Sequence, residues 1–302
     1  MKRVADIINA ARQIGVVIPA FNVPYLPMVE PVVRAVVDQD SFALVETARP
    51  EWIKFESKGP AAVAKEFAQW SQPEHVRLHL DHVPVIDEDG QRVEYLPIFK
   101  EALALGYESV MLDGSRLKLD ENIQATRTIV ELAHVQGTPV EAELGAVLGH
   151  EAGPLPPYEE LFASGLGFTD VEEARRFVEE TGCAWLSVAI GNVHGAIAAG
   201  AKDQKKIQAR LNLDRLTQLA QATGIPLVLH GGSGIKQEDV LGAGKCGIAK
   251  INVGTEIRQS YEVALKESGS LIKAQEAVYN RTVELLRDYL HLTGIRAKLM
   301  QA

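Results

Sequence analysis

Eight short runs rich in apolar and β-branched residues recur along the chain, at 16–22, 42–47, 76–82, 109–115, 139–145, 184–191, 225–229 and 246–253. Each has the length and composition of a buried strand. Segments with helical spacing separate most of them, at 28–37, 60–70, 95–105, 120–136, about 170–180 and 213–222. Another helix is expected from about 256, and a last helical segment over 270–298. Asp170 or Thr169 is placed to cap the helix that follows it. No Gly-x-Gly-x-x-Gly follows the first strand, so the alternation predicts an α/β fold of the (β/α)8 TIM-barrel class rather than a doubly wound sheet. A length of 302 residues, 46% of them hydrophobic, suits one such barrel. The expected organisation is a single domain over 1–302 with a helical extension from about 270. Residues 146–169, rich in glycine and proline, read as one long loop of the lid or binding kind.

In such a barrel chemistry gathers at the carboxyl ends of the strands. Those ends carry Asn22, Thr47, Asp81, His82, Asp113, Glu143, His194, His230, Asn252 and Thr255. Adjacent strand residues face opposite ways, so Asp81 and His82 serve one site only if the third strand ends there. Any one of His82, His194 and His230 alone reads as an ordinary polar residue. Three at three strand ends, with Asp81 adjacent, read as a metal site, and neutral imidazoles suit zinc. Asp113 and Glu143 end the neighbouring strands. They could orient a metal-binding histidine, form a second metal position, or pair with Lys250 in an internal salt bridge. Lys250 also raises a Schiff-base alternative, but it lies two residues below Asn252 and so too deep. Gly231-Gly232-Ser233-Gly234 and Asn252-Val253-Gly254-Thr255 follow strands seven and eight, where backbone N–H groups hold phosphate in this fold.

The net charge of −9 argues against nucleic-acid or anionic-membrane binding. No apolar run approaches the roughly 20 residues of a membrane span. The N-terminus lacks a signal-peptide pattern and there are two cysteines, so a reducing cytoplasm is the expected setting.

Leu80-Asp81-His82, Glu141-Ala142-Glu143-Leu144-Gly145, Val188–Gly191 with His194-Gly195, Leu229–Gly234 and Lys250-Ile251-Asn252-Val253 occur in that order. Together they resemble the class II, zinc-dependent ketose-bisphosphate aldolases, which act on fructose or tagatose bisphosphate. The resemblance runs from about Ala20 to about Tyr261. It implies reversible cleavage of a phosphorylated ketose to dihydroxyacetone phosphate and an aldehyde. It implies zinc on His82, His194 and His230, with a monovalent cation as a second candidate cofactor. Asp113 and Glu143 match a secondary metal position. Gly195, Gly231, Gly232, Ser233, Asn252, Val253, Gly254 and Thr255 would hold dihydroxyacetone phosphate, with Asn22 and Thr47 completing the substrate set. Asp81 matches the acid/base for the C4 hydroxyl, and Glu151 the mobile-loop carboxylate that exchanges the proton on carbon. Arg258, six residues after Asn252, matches an arginine that reaches a neighbouring subunit's distal phosphate, and Arg49 is a second candidate for an anionic tail. A homodimer or homotetramer is expected. Departures fall at the distal end: His150 replaces an acidic residue, Gly254 stands where fructose-specific members often carry aspartate, and the loops after His82 and His194 are longer. The competing readings are a zinc-dependent barrel hydrolase and a noncatalytic sugar-phosphate sensor; intact Asp81 and Glu151 speak against the sensor.

Overall fold

The computed structural model describes residues 1–145, 158–192, 209–232 and 234–302. The expectations for His150, Glu151, His194, Gly195 and Ser233 lie outside these. The eight runs form β1 (Ile18–Asn22), β2 (Ala43–Ala48), β3 (Val76–Pro84), β4 (Ser109–Asp113), β5 (Val140–Leu144), β6 (Trp185–Val188), β7 (Leu227–Leu229) and β8 (Ile248–Val253). All pair in parallel and in chain order, and β8 closes on β1, with Ala20 opposite Asn252. This is the (β/α)8 barrel that the alternation predicts.

The helices that cover it are α1 (Val4–Ile14), α2 (Val29–Asp38), α3 (Arg49–Lys54), α4 (Pro60–Trp70), α5 (Tyr95–Ala104), α6 (Leu119–His134), α7 (Tyr158–Ser164), α8 (Val171–Thr181), α9 (Leu213–Thr223), α10 (Gln237–Lys245), α11 (Thr255–Ser268), α12 (Leu271–Glu284) and α13 (Arg296–Gln301). Asp170 caps α8 as expected, its Oδ1 accepting from the N–H groups of Glu172 and Glu173. Three features correct the sequence reading. The long loop is not irregular throughout, because α7 forms inside it, where Tyr158 and Phe162 supply an apolar side. α1, α3 and α10 were not expected; α3 and α10 span only 6 and 9 residues, too few for a periodic pattern to stand out. The last helical segment is not continuous: α12 passes into a π-helical turn, Leu285–Tyr289, before α13. Among the described residues no helix is long and apolar enough to cross a membrane.

The apolar core lies mainly between the strands and the helices. Inside the barrel the filling is different. Barrel interiors are usually packed with branched aliphatic residues. Here Glu46, His79, Glu141 and Lys250 are all fully buried there. Lys250 Nζ lies 3.0 Å from Glu141 Oε2 and 3.4 Å from Glu46 Oε2. His79 Nδ1 meets Ser109 Oγ at 2.8 Å. Burial and the Lys250 charge push the His79 imidazole down to about 3, so it packs as a neutral ring. An ionic layer thus sits directly beneath the carboxyl ends of the strands.

Candidate active site

The third strand does not end at Asp81. It runs on to Pro84, and the expectation that termination lets Asp81 and His82 share a site is corrected by its register. Leu80 pairs with Val110 and Val83 with Leu112, so three residues of β3 advance against two of β4. That is a β-bulge. His82 absorbs it with a φ of 33°, a left-handed conformation that a non-glycine residue adopts at a cost of about 1–3 kcal/mol. The extra residue cancels the alternation, and Asp81 and His82 both line one cavity at the barrel mouth.

His230 follows β7 directly and faces His82 across the cavity. His230 Nδ1 and His82 Nε2 are 2.6 Å apart, with their rings nearly perpendicular. His230 Nε2 meets Glu141 Oε1 at 2.8 Å. A carboxylate can only accept, so Nε2 carries the proton and Nδ1 presents its lone pair to the cavity. His82 Nδ1 lies 3.5 Å from Asp113 Oδ2. Glu143 Oε2 lies 3.9 Å from His82 Nε2 and 3.8 Å from His230 Nδ1, buried and without a hydrogen-bond partner. Burial and Asp113 push the Glu143 carboxyl well above its ordinary value. On His82 burial opposes charge, but Asp81, Asp113 and Glu143 outweigh it and push the imidazole well above its ordinary value. Two facing imidazole nitrogens, an orphaned carboxylate oxygen and two further carboxylates form a donor set that fits a divalent cation. The ligand atoms of Asp81, His82 and His230 lie within 4.8 Å of one another, as do those of His82, Asp113 and Glu143. Glu46, His79 and Asp81 converge equally closely, but Lys250 already supplies a positive charge there.

Asp81 is 1% exposed, and each oxygen accepts one amide N–H. Asn22 Nδ2 donates to Oδ2 at 3.0 Å and Asn252 Nδ2 to Oδ1 at 2.9 Å. Burial pulls its pKa up, yet the basic groups around it, His82 foremost, outweigh burial and hold it well below the usual carboxylate range. Asp81 is therefore a buried carboxyl group whose surroundings favour its charged form. Gly231, Gly232, Asn252, Val253, Gly254 and Thr255 line the same cavity. Asn192, at the start of the next loop, donates Nδ2–H to the His230 carbonyl at 2.8 Å and holds the β7 end in place.

Several expected residues fall elsewhere. Thr47 is fully buried and is not part of the cavity wall; alternation turns Glu46 inward and Thr47 away. Asp113 and Glu143 do not pair with Lys250, whose carboxylate partners are Glu141 and Glu46, because Lys250 sits one layer deeper. Burial alone would lower the Lys250 pKa, but Glu141 and Glu46 outweigh it and raise it, which disfavours the free amine that a Schiff base needs. Arg258 lines the cavity, but its Nη1 is 2.7 Å from Glu262 Oε2 and its guanidinium lies over the Phe55 ring. Arg49 pairs with Asp87 at 3.4 Å. Three residues near the site went unread: Glu141, Asn192 and Glu51. Glu51 lines the cavity, accepts the Ala48 N–H at 2.9 Å, and is pushed up to about 8 by burial, with Asp81 adding to the effect.

Comparison with known proteins agrees with this geometry. The class II fructose-bisphosphate aldolase family model matches residues 2–294. A fructose-bisphosphate aldolase of Streptococcus pneumoniae is 31% identical over 277 residues, 91% of this chain and 85% of that protein. The Escherichia coli K12 protein YdjI is 42% identical over 188 residues, 62% of each chain. The crystal structure of that YdjI aldolase superposes with a TM-score of 0.75, covering 98% of this chain and 99% of the other at 28% identity. A putative fructose-1,6-bisphosphate aldolase from Coccidioides immitis gives 0.76 at 27% identity, over 98% of both chains. With its barrel, its ordered strand-end motifs and a family match over nearly its whole length, the chain belongs to the class II fructose-bisphosphate aldolases, which are carbon–carbon lyases.

Proposed function

We propose that this enzyme is a zinc-dependent aldolase that cleaves a ketose 1-phosphate with an anionic far end to dihydroxyacetone phosphate and an aldehyde. The observation that carries the reading is a buried, doubly hydrogen-bonded Asp81 beside the facing His82 and His230 rings. His82 and His230, with His194 from outside the described residues, would hold the ion; Asp113 and Glu143 would offer a second position. When bound, zinc supplies positive charge for the anion left by bond cleavage. Asp81 takes the proton of the C4 hydroxyl; the C4 oxygen becomes the aldehyde carbonyl, and the C3–C4 bond pair stays with C3. Asn22 and Asn252 orient Asp81 while it does so. The turns at Gly231-Gly232 and Asn252–Thr255 present N–H groups to the phosphate, completed by Gly195 and Ser233, and Glu151 returns a proton to carbon. Arg258, held by Glu262 at the cavity wall, faces the far end of the substrate; its planar fork suits a phosphate or carboxylate there.

The same reading takes residues 1–302 as one barrel domain with a helical extension from about 270, working in a reducing cytoplasm as a homodimer or homotetramer. The test is a retro-aldol screen of phosphorylated ketoses with anionic and neutral tails, coupled to dihydroxyacetone phosphate detection with and without chelator. Chelator-sensitive release, fastest with anionic tails, is expected. Chelator-resistant turnover would refute the zinc assignment, and a preference for neutral tails would refute the substrate class.

A further inference from the structure

The barrel buries an ammonium that the cleavage chemistry does not use. Lys250 is fully buried, two residues below Asn252 on the same face of β8. A lysine has three N–H donors and no acceptor, and three side-chain oxygens surround its Nζ. Asn252 Oδ1 is hydrogen-bonded at 2.6 Å, and Glu141 Oε2 and Glu46 Oε2 are ion-paired at 3.0 and 3.4 Å. Two of these partners lead onward into the site. Glu141 uses its other oxygen to hold the Nε2–H of His230. Asn252 uses its Nδ2 to donate to Asp81.

We propose that Lys250 is a positioning residue that fixes two parts of the active site at once: the His230 ring through Glu141, and the Asp81 carboxylate through Asn252. A side-chain amide can sit either way round in its pocket. Because Lys250 can only donate, it claims the Asn252 oxygen, and the NH2 group must then face Asp81. Reversed, the amide would set its oxygen against the carboxylate and repel the base it now holds. On the other branch, the ion pair at Oε2 holds Glu141 in place, so that its Oε1 accepts the Nε2–H of His230 and the ring keeps its Nδ1 toward His82. A buried ion pair is weak evidence for stability, since desolvation offsets most of the attraction. Its use here is placement: one charge sets the orientation of two groups that must meet at the same substrate.

The proposal rests on the aldolase reading, so wild-type enzyme is assayed first. No ketose-dependent dihydroxyacetone phosphate release would count against that reading, not against Lys250. Lys250→Met is then compared in two measurements. Zinc affinity of the apo protein, by competition with a chromogenic chelator, should fall about 10-fold or more, as loss of a metal ligand's support does. At saturating zinc, kcat should remain about 10-fold or more below wild type with KM within about threefold, because a misplaced base slows chemistry without loosening substrate. Zinc affinity and kcat both within twofold of wild type, in a protein of native circular dichroism, would overturn the proposal. Zinc affinity lost but kcat fully restored by zinc would overturn its Asp81 branch, and the converse its His230 branch. If Lys250→Met does not fold, Glu46→Gln/Glu141→Gln/Lys250→Met removes the ammonium and both opposed carboxylates together and is compared with Glu46→Gln/Glu141→Gln. The triple variant should match the double in zinc affinity and fall below it in kcat; equal kcat would overturn the proposal.

Discussion

Asp81→Asn isolates the proton-handling step more sharply than any other substitution in this site. The side chains are nearly isosteric, so the cavity keeps its shape. The two carboxylate oxygens accept from Asn22 and Asn252 at 3.0 and 2.9 Å. An asparagine offers one oxygen and one NH2 group, so one of the two donors loses its acceptor. Asn252 cannot turn, because Lys250 holds its oxygen at 2.6 Å. The new amide therefore gives its oxygen to Asn252 and its NH2 to Asn22, which flips to receive it. Two charge-assisted bonds of about 1.5–3 kcal/mol each become neutral ones of about 0.5–1.5. Against that loss, a charge no longer has to be kept out of water, so the net change in stability should stay within about 2 kcal/mol. The catalytic cost is larger. Removing a positioned base costs about 10²- to 10⁴-fold, or about 2.7–5.4 kcal/mol of barrier. The expected outcome is therefore kcat down by at least about 100-fold, with bound zinc and dihydroxyacetone phosphate affinity each within about twofold of wild type. Stopped assays with dihydroxyacetone phosphate detection, metal analysis and calorimetric titration read the three quantities. If zinc content falls as far as it does in His82→Ala, Asp81 is a ligand and the assignment of roles is wrong.

Glu51 is pushed up to about 8 by burial, so its contribution to stability is fully present below its unfolded value near pH 4.3 and is lost as pH rises through about 8. Glu51→Gln should flatten the decline in unfolding free energy across that window; an unchanged slope in urea titrations would show that another group is responsible. Gly191→Ala should destabilise by about 2 kcal/mol or more, because its φ is 109° and a Cβ would lie 2.5 Å from the Arg210 carbonyl oxygen; a midpoint unchanged in denaturant would refute that. Arg258→Ala should raise KM for anionic-tailed ketoses about 10-fold or more, as loss of a charge-assisted contact does, while sparing a neutral-tailed analogue. Equal losses on both would make Arg258 a purely structural partner of Glu262. Chelation should abolish turnover and added zinc restore it, and borohydride with substrate should trap no adduct on Lys250.

The barrel was legible in the sequence because its strands are short apolar runs, several of them closed by a polar residue, and eight of them leave few other topologies. Asp81, His82 and His230 could be placed at one mouth for the same reason. What escaped is the support beneath them. Glu141 and Glu143, His79 and Asp81, and Lys250 and Asn252 are each two residues apart, and the period of a strand puts each pair on one inward face. That spacing is visible, but which deep residue meets which depends on pairing between strands distant in the chain, and Lys250 finds Glu141 rather than Glu143 only through that stagger. Glu51 gave no signal, since a carboxylate in a short helix reads as solvated surface. The bulge was unreadable because Asp81-His82 reads the same whether the strand ends there or absorbs an extra residue and runs on.

The bulge in β3 also acts as a length gauge. Deleting Val83, with Asp81 and His82 kept, would let the strand pair evenly with β4, and even pairing puts neighbours on opposite faces. Either the carboxylate or the imidazole would then turn into the helix layer, while every amino acid type needed for the reaction remained in the chain. Sequence drift in this stretch is thus constrained in a way substitution scans would not reveal. The apolar residues around Asp81 and His82 can vary, but the number of residues from Leu80 to Pro84 cannot, and the ancestry of such a site should be traced by that count as well as by matching letters.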